Sequence, residues 1–136
     1  MSKTIHVDLK ERGYDIRIGT DLSIGDVPAE GAGIAALIIS DTNVDPLYGD
    51  KCEKALQAKG FQTARAVVSA GESSKDLKCV TDLYGKAMAA KLNRKSIIVA
   101  LGGGVVGDLA GFVAATFLRG IRFIQVPTTL LAMVDS

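Results

Sequence analysis

Residues 96–119 read SIIVALGGGVVGDLAGFVAATFLR, an apolar run broken by glycines and carrying one internal charge, Asp108. Ile97 to Leu101 is short, continuous and rich in β-branched residues, which predicts a strand covered on both faces, as inside a parallel sheet. Gly102, Gly103 and Gly104 follow, where the chain can turn sharply and where a backbone without side chains lets a ligand come close. Beyond Gly107, Leu109, Phe112, Val113 and Phe117 recur on roughly one helical face, so a helix is expected from there. A strand, a glycine turn and a helix start together make an anion site. The first-turn amides have no partner inside the helix, and the helix dipole adds partial positive charge.

Gly102, Gly104 and Gly107 fit the G-x-G-x-x-G spacing of dinucleotide-binding turns, in the strand-to-helix context that the motif requires. The acid that such turns place about 20 residues downstream, on a ribose hydroxyl, is missing, because no Asp or Glu lies between Asp108 and Asp135. The bland alternative is a tight strand-to-helix turn with a capping Asp and no ligand.

Outward from this stretch, strands and helices alternate. Ala35 to Ser40 (AALIIS) is a second buried strand ending in the polar Asp41-Thr42-Asn43-Val44. A helix from about Pro46 to Lys59 turns Cys52, Ala55 and Leu56 inward and stops at Gly60. Phe61 to Ser69 holds a strand centred on Ala66-Val67-Val68 and runs into the polar turn Gly71 to Lys75. Ser73 with Asp76 resembles a capping arrangement. Leu77, Val80, Leu83, Tyr84, Ala87 and Met88 then recur at helical spacing until Asn93. After the glycine-initiated helix, closed by Arg119-Gly120, Ile121 to Val126 reads as a strand ending in Pro127-Thr128-Thr129. Leu130 to Ser136 opens another helix, with Leu131, Met133 and Val134 facing no visible partner. At the other end, residues 3–9 and 14–18 alternate around Lys10 to Gly13, a β-hairpin pattern, and Ser23 to Gly33 is loop.

This order predicts an α/β fold: a Rossmann-like parallel sheet with flanking helices and right-handed crossovers, opening on a β-hairpin. The carboxyl ends of such strands share one edge, where open α/β sheets bind ligands. Asp41, Glu72, Gly103 and Thr128 are expected to converge there, so an acid from an earlier strand replaces the missing downstream one.

Composition narrows the function. At 136 residues the chain is one domain's worth. Its net charge of +1 comes from 16 basic and 15 acidic residues without runs of one sign, which argues against nucleic acid and membrane surfaces as partners. Tryptophan is absent and aromatics make up 5%, which argues against base-stacking platforms. The N-terminus, MSKTIHVDLK, lacks the apolar core of a signal peptide, so a cytoplasmic location is expected. The length of the 96–119 run raises a membrane-spanning alternative, against which its clustered glycines and Asp108 argue. Cys52 and Cys79 lie far apart with no C-x-x-C and read as free thiols. His6, the only histidine, shares the polar face of its strand with Thr4 and Asp8, and no histidine-rich metal site can be built from the chain. A mean hydropathy of +0.26 and the apolar C-terminal end predict association with itself or with a further domain. Ending inside an element, the chain reads as a fragment.

ALGGGVVGDLAGFVAATFLRG followed by RFIQVPTTLLAMVDS resembles the 3-dehydroquinate synthase family, and the similarity continues more loosely through GESSK and SDTNV to the hairpin. The resemblance implies that residues 1–136 are an N-terminal NAD-binding α/β domain, cut within the segment leading to a mainly helical metal-binding domain. It implies NAD contacts at Asp41, Asn43, Gly71, Glu72 and Lys75, along the turn Gly103, Gly104, Val105, Val106, Gly107 and Asp108, and at Thr128 and Thr129. Arg119 and Asp135 resemble the family's substrate contacts, Arg119 reaching the phosphate site of a neighbouring subunit in a homodimer. A divalent metal, zinc or cobalt, is implied with its ligands beyond Ser136. Ala70 and Asp76 depart from the family pattern and put the local loop geometry in question. The implied activity is a lyase step of the shikimate pathway, on the route to chorismate and the aromatic amino acids. In it, NAD assists phosphate elimination and cyclisation of 3-deoxy-D-arabino-heptulosonate 7-phosphate, and this chain alone is expected to be inactive. Competing readings are another sugar-phosphate cyclase, a polyol dehydrogenase of similar fold, or a non-catalytic nucleotide-binding or scaffolding module. Taken singly, each residue also has a structural role open to it: Asp41 in a turn, Glu72 and Lys75 as a solvated pair, Thr128 and Thr129 as helix caps, Arg119 at a helix C-terminus and Asp135 as a surface charge.

Overall fold

The computed structural model of the chain describes residues 2–19, 24 and 31–135, so most of the expected Ser23 to Gly33 loop and Ser136 lie outside the described residues. The first elements are the hairpin strands β1 (Ser2–Val7) and β2 (Tyr14–Gly19), paired antiparallel with Ile5 opposite Ile16. Period-two alternation puts Ile5, Ile16, Ile18 and Tyr14 on one side of this ribbon, and all four are exposed.

The rest is one layered α/β unit. β3 (Ala35–Asp41), β4 (Gln62–Val68), β5 (Ile97–Gly102) and β6 (Arg122–Pro127) form a parallel sheet in the order β4-β3-β5-β6. Central parallel strands are covered on both faces, which demands unbroken apolar sequence. All of β5, and β3 up to its last residue, are accordingly buried, whereas edge strands β4 and β6 are only partly buried. On one face, Ala36 and Ile38 of β3 and Ile97, Val99 and Leu101 of β5 pack with Cys52 and Leu56 of α1 (Asp50–Ala58). On the other, Leu37, Ile39, Ile98 and Ala100 pack under α2 (Leu77–Ala89) and α3 (Gly104–Thr116). A short α4 (Leu130–Asp135) follows β6, and its Leu131, Met133 and Val134 are exposed.

Several elements start or face differently from expectation. α3 begins at Gly104 rather than after Gly107, because Gly103 takes extended angles (φ −85°, ψ −161°) as N-cap and completes the turn in one residue. Val105, Val106, Gly107 and Asp108 are therefore helical. Phe112 is half exposed, not inward. The buried stripe of Val106, Leu109, Ala110 and Val113 already fills the sheet face, and Phe112 falls outside it. Leu77 and Met88 are likewise exposed. Asp76, not Ser73, is the N-cap of α2, its carboxylate accepting from the Cys79 amide at 2.7 Å. A π-helical turn, Asp45–Gly49, precedes α1 in place of a uniform helix from Pro46. At the far end of α3, a one-turn 3-10 segment (Phe117–Arg119) leads into Gly120, with Leu118 (φ 50°) and Arg119 (φ 68°) left-handed. No helix among the described residues is long and apolar enough to cross a membrane.

Candidate functional site

The strand order creates a crevice. From β3 the chain goes by α1 to its outer neighbour β4, then returns past β3 by α2 to β5 and moves on by α3 to β6. α1 and α3, which leave the adjacent strands β3 and β5, lie on opposite faces of the sheet. This reversal point is where open α/β sheets bind ligands, at the carboxyl ends of the strands. The two strand ends are tied together there, with the buried Ser40 hydroxyl donating to the Leu101 carbonyl at 2.7 Å.

The glycine turn forms one wall. Gly103 offers no capping side chain, so the first-turn amides of α3 have no side-chain acceptor. Two of the glycines have a steric reason to be small. A Cβ on Gly102 would come within 2.9 Å of buried Val106, and one on Gly103 within 3.2 Å of the Thr129 methyl. A Cβ on Gly104 would meet nothing within 4 Å, so no protein contact explains that glycine. Gly102, Gly103, Gly104, Gly107 and Asp108 line a cleft together with Gln125, Pro127 and Ala132.

The other predicted residues fall into groups. Asp41 is the last residue of β3, and its Oδ1 accepts from the amides of Asn43 (2.9 Å) and Val44 (2.8 Å). It thus serves as a turn residue at the crevice, and Oδ2 takes part in neither bond. Gly71 (φ 106°) starts the turn that carries Glu72 and Lys75. Lys75 Nζ lies 2.6 Å from Asp108 Oδ2 and 3.9 Å from Glu72 Oε2, so the loop after β4 and the second turn of α3 are bridged across the site. Thr128 donates its amide to the Gly102 carbonyl, while its buried hydroxyl oxygen has no partner. Thr129 Oγ1 caps α4, accepting from the Ala132 amide at 3.1 Å. Arg119 is exposed beyond the far end of 13-residue α3, about 20 Å from the glycine turn, so the structure does not bring it to the crevice. Asp135 ends α4.

Two contributors were missed from the sequence. Gln125, a polar residue in the apolar strand FIQV, lines the cleft, and that interruption was the available signal. Ser40 ends an apolar run and gave no such cue. The thiols face other surroundings: burial pushes Cys52 up to about 11 and also raises Cys79.

A parallel sheet reversing at a glycine turn, with an uncapped helix start aimed at the reversal point, defines a Rossmann-like α/β domain. Residues 65–136 match the family described as 3-dehydroquinate synthase N-terminal. The chain belongs to the 3-dehydroquinate synthase family. It is 52% identical over 132 residues to the 3-dehydroquinate synthase of Ruminiclostridium cellulolyticum, covering 96% of this chain and 37% of that protein. To the Symbiobacterium thermophilum 3-dehydroquinate synthase it is 60% identical over 101 residues, 74% of this chain and 28% of that one. Among solved structures, 2-deoxy-scyllo-inosose synthase complexed with carbaglucose-6-phosphate, NAD+ and Co2+ superposes with a TM-score of 0.78 at 27% identity. That match covers 96% of this chain and 36% of the other. The chain thus spans little more than a third of the length of such relatives.

Proposed function

We propose that this chain is the N-terminal NAD-binding domain, residues 1–136, of a 3-dehydroquinate synthase. The carrying observation is the glycine turn at the sheet's reversal point, with Asp41 on the neighbouring strand and Lys75 across the helix start. The partnerless buried hydroxyl of Thr128 and the open space over Gly104 fit a bound dinucleotide. The relatives named 3-dehydroquinate synthase support the activity, and the inosose synthase held with NAD+ and Co2+ supports the cofactor.

In this reading the amides of Gly104, Val105 and Val106 receive the diphosphate, and Gly103 and Gly107 keep its path clear. Lys75 neutralises it by exchanging partners. A half-exposed ion pair such as Lys75–Asp108 is worth at most about 1 kcal/mol, against roughly 1.5–3 kcal/mol for a hydrogen bond to a charged group. Asp41 and Glu72 accept from ribose hydroxyls, with Asn43, Gly71, Asp108, Thr128 and Thr129 completing the contacts. NAD, when bound, supplies reversible oxidation of a substrate hydroxyl. Arg119 and Asp135 are the substrate contacts, Arg119 serving the partner's phosphate site in a homodimer. Its remoteness from this chain's own crevice supports that assignment. Among the described residues no group of three or more His, Cys, Asp or Glu could hold a metal ion, and no step here runs through one.

Calorimetry on the chain tests the cofactor assignment. NAD binding weakened at least about twofold by Lys75→Ala is expected from that difference, and absence of binding by the unaltered chain refutes the assignment. Rescue of an aromatic auxotroph by the gene that carries the chain tests the substrate. Failure to rescue favours a cyclase acting on a different sugar phosphate, the reading that the inosose synthase likeness supports.

A further inference from the structure

Arg65 lies on β4, on the sheet face that α1 covers, and is surrounded by acids. Its Nη2 and Nε donate to Asp45 Oδ1 at 2.7 and 3.1 Å, and its Nη1 reaches Asp50 Oδ1 at 2.5 Å and Glu53 Oε1 at 3.4 Å. The Arg65 side chain is 23% exposed and that of Asp45 17%. Asp45 and Asp50 are five residues apart. In an α-helix that spacing turns side chains about 140° away from each other, whereas the i→i+5 pattern of a π-turn stacks them. The Asp45–Gly49 π-turn is thus what lets one guanidinium hold both carboxylates. Gly49 leaves room for it, since a Cβ there would lie 2.3 Å from both Arg65 Nη2 and Asp45 Oδ1.

The clamp bears on the crevice through four consecutive residues. Asp45 follows Val44 directly, and the Val44 amide is one of the two that Asp41 Oδ1 accepts. The carbonyl of Val44 in turn accepts from the amides of Leu47 and Tyr48 in the π-turn. The near end of the same loop is stitched independently, with the Thr42 amide donating to the Val68 carbonyl and Thr42 Oγ1 accepting from the Ala70 amide. Arg65 therefore fixes the far end of the Asp41–Val44 turn, and through it the direction of the Asp41 carboxylate.

We infer that Arg65 is a positioning residue for the adenosine end of the dinucleotide, holding the Asp41 turn through its fork on Asp45 and the π-turn. The inference rests on the NAD reading above, in which Asp41, ending the strand beside the glycine turn, takes over the ribose contact that dinucleotide folds give to an acid downstream of the motif. Binding by the unaltered gene product that carries this chain is measured first, with NAD, AMP and nicotinamide mononucleotide as probes. If it does not bind NAD, the cofactor reading fails before any variant is made, and this inference falls with it. Arg65→Met is expected to weaken NAD and AMP by a common factor of about ten while leaving nicotinamide mononucleotide within twofold. Hydrogen exchange at the Asn43 and Val44 amides should rise in parallel. Gly49→Ala, which displaces the guanidinium but keeps every charge, should do the same in a milder form, and it carries the test if Arg65→Met does not fold. Thr63→Val, which cuts the neighbouring Thr63–Glu53 bond on the same strand, should change none of the three affinities. A folded Arg65→Met or Gly49→Ala protein that binds NAD and AMP as before overturns the inference. So does an equal loss for all three probes, which marks a purely structural role.

Discussion

Gly104 separates a structural reading of the glycine turn from a ligand-binding one. It is the first residue of α3 with ordinary negative-φ geometry, and an added Cβ meets no atom within 4 Å. Replacing glycine by alanine where the backbone already suits it stabilises by roughly 0.4–1 kcal/mol, because the unfolded chain loses freedom. With an unfolding entropy of about 2.1 cal/mol/K per residue over 136 residues, Gly104→Ala should raise Tm by roughly 1.5–3.5 °C. The same methyl stands where the diphosphate must approach the helix amides. Losing one hydrogen bond to a charged group at about 1.5–3 kcal/mol corresponds to a fall in NAD affinity of about ten- to a hundredfold. Differential scanning fluorimetry and calorimetry on the same preparation read both effects. A raised Tm with unchanged NAD affinity refutes the cradle, and a lowered Tm refutes the free space on which the reasoning stands.

The neighbouring loop behaves oppositely. Gly71 has φ 106° and ψ 167°, a region essentially closed to other residues, so Gly71→Ala should destabilise by about 1–3 kcal/mol, seen as a lower urea midpoint; an unchanged midpoint counts against the turn geometry. Cys52 supplies a pH signature. Burial raises its folded pKa from the ordinary 9.0 to about 11, so the stabilising term is complete below pH 9 and is lost as pH rises towards 11. Urea midpoints of the unaltered protein should therefore fall more steeply over that window than those of Cys52→Ala, and parallel curves would refute the burial effect.

The central strands were legible in the sequence because burial on both faces demands a nearly continuous apolar run, interrupted only at its ends by the hydrogen-bonded serines Ser40 and Ser96. AALIIS and SIIVALG could be little else than interior parallel strands, and β3 and β5 occupy those stretches. The glycine turn was legible for a related reason, since a strand running into Gly102-Gly103-Gly104 must bend where a side chain would clash. Helix faces were read less well. Phe112 and Leu77 fit a period of 3.6 by number, but whether a borderline position turns inward depends on how much of the sheet its neighbours already cover. Only the tertiary structure decided which strands are neighbours. The sequence predicts an acid from an earlier strand in place of the missing downstream one, and the pairing of β3 with β5 sets Asp41, 61 residues before Gly102, at the end of the strand beside the glycine turn. Nor does spacing show one arginine on an edge strand gathering Asp45, Asp50 and Glu53. That contact exists only when β4 passes beneath α1 and the chain before α1 winds as a π-turn. Local sequence determined which segments are strand, turn and helix, because those choices follow from burial and backbone freedom within a few residues. The crevice itself arises from the sheet order, which sets pairings between residues distant in the chain.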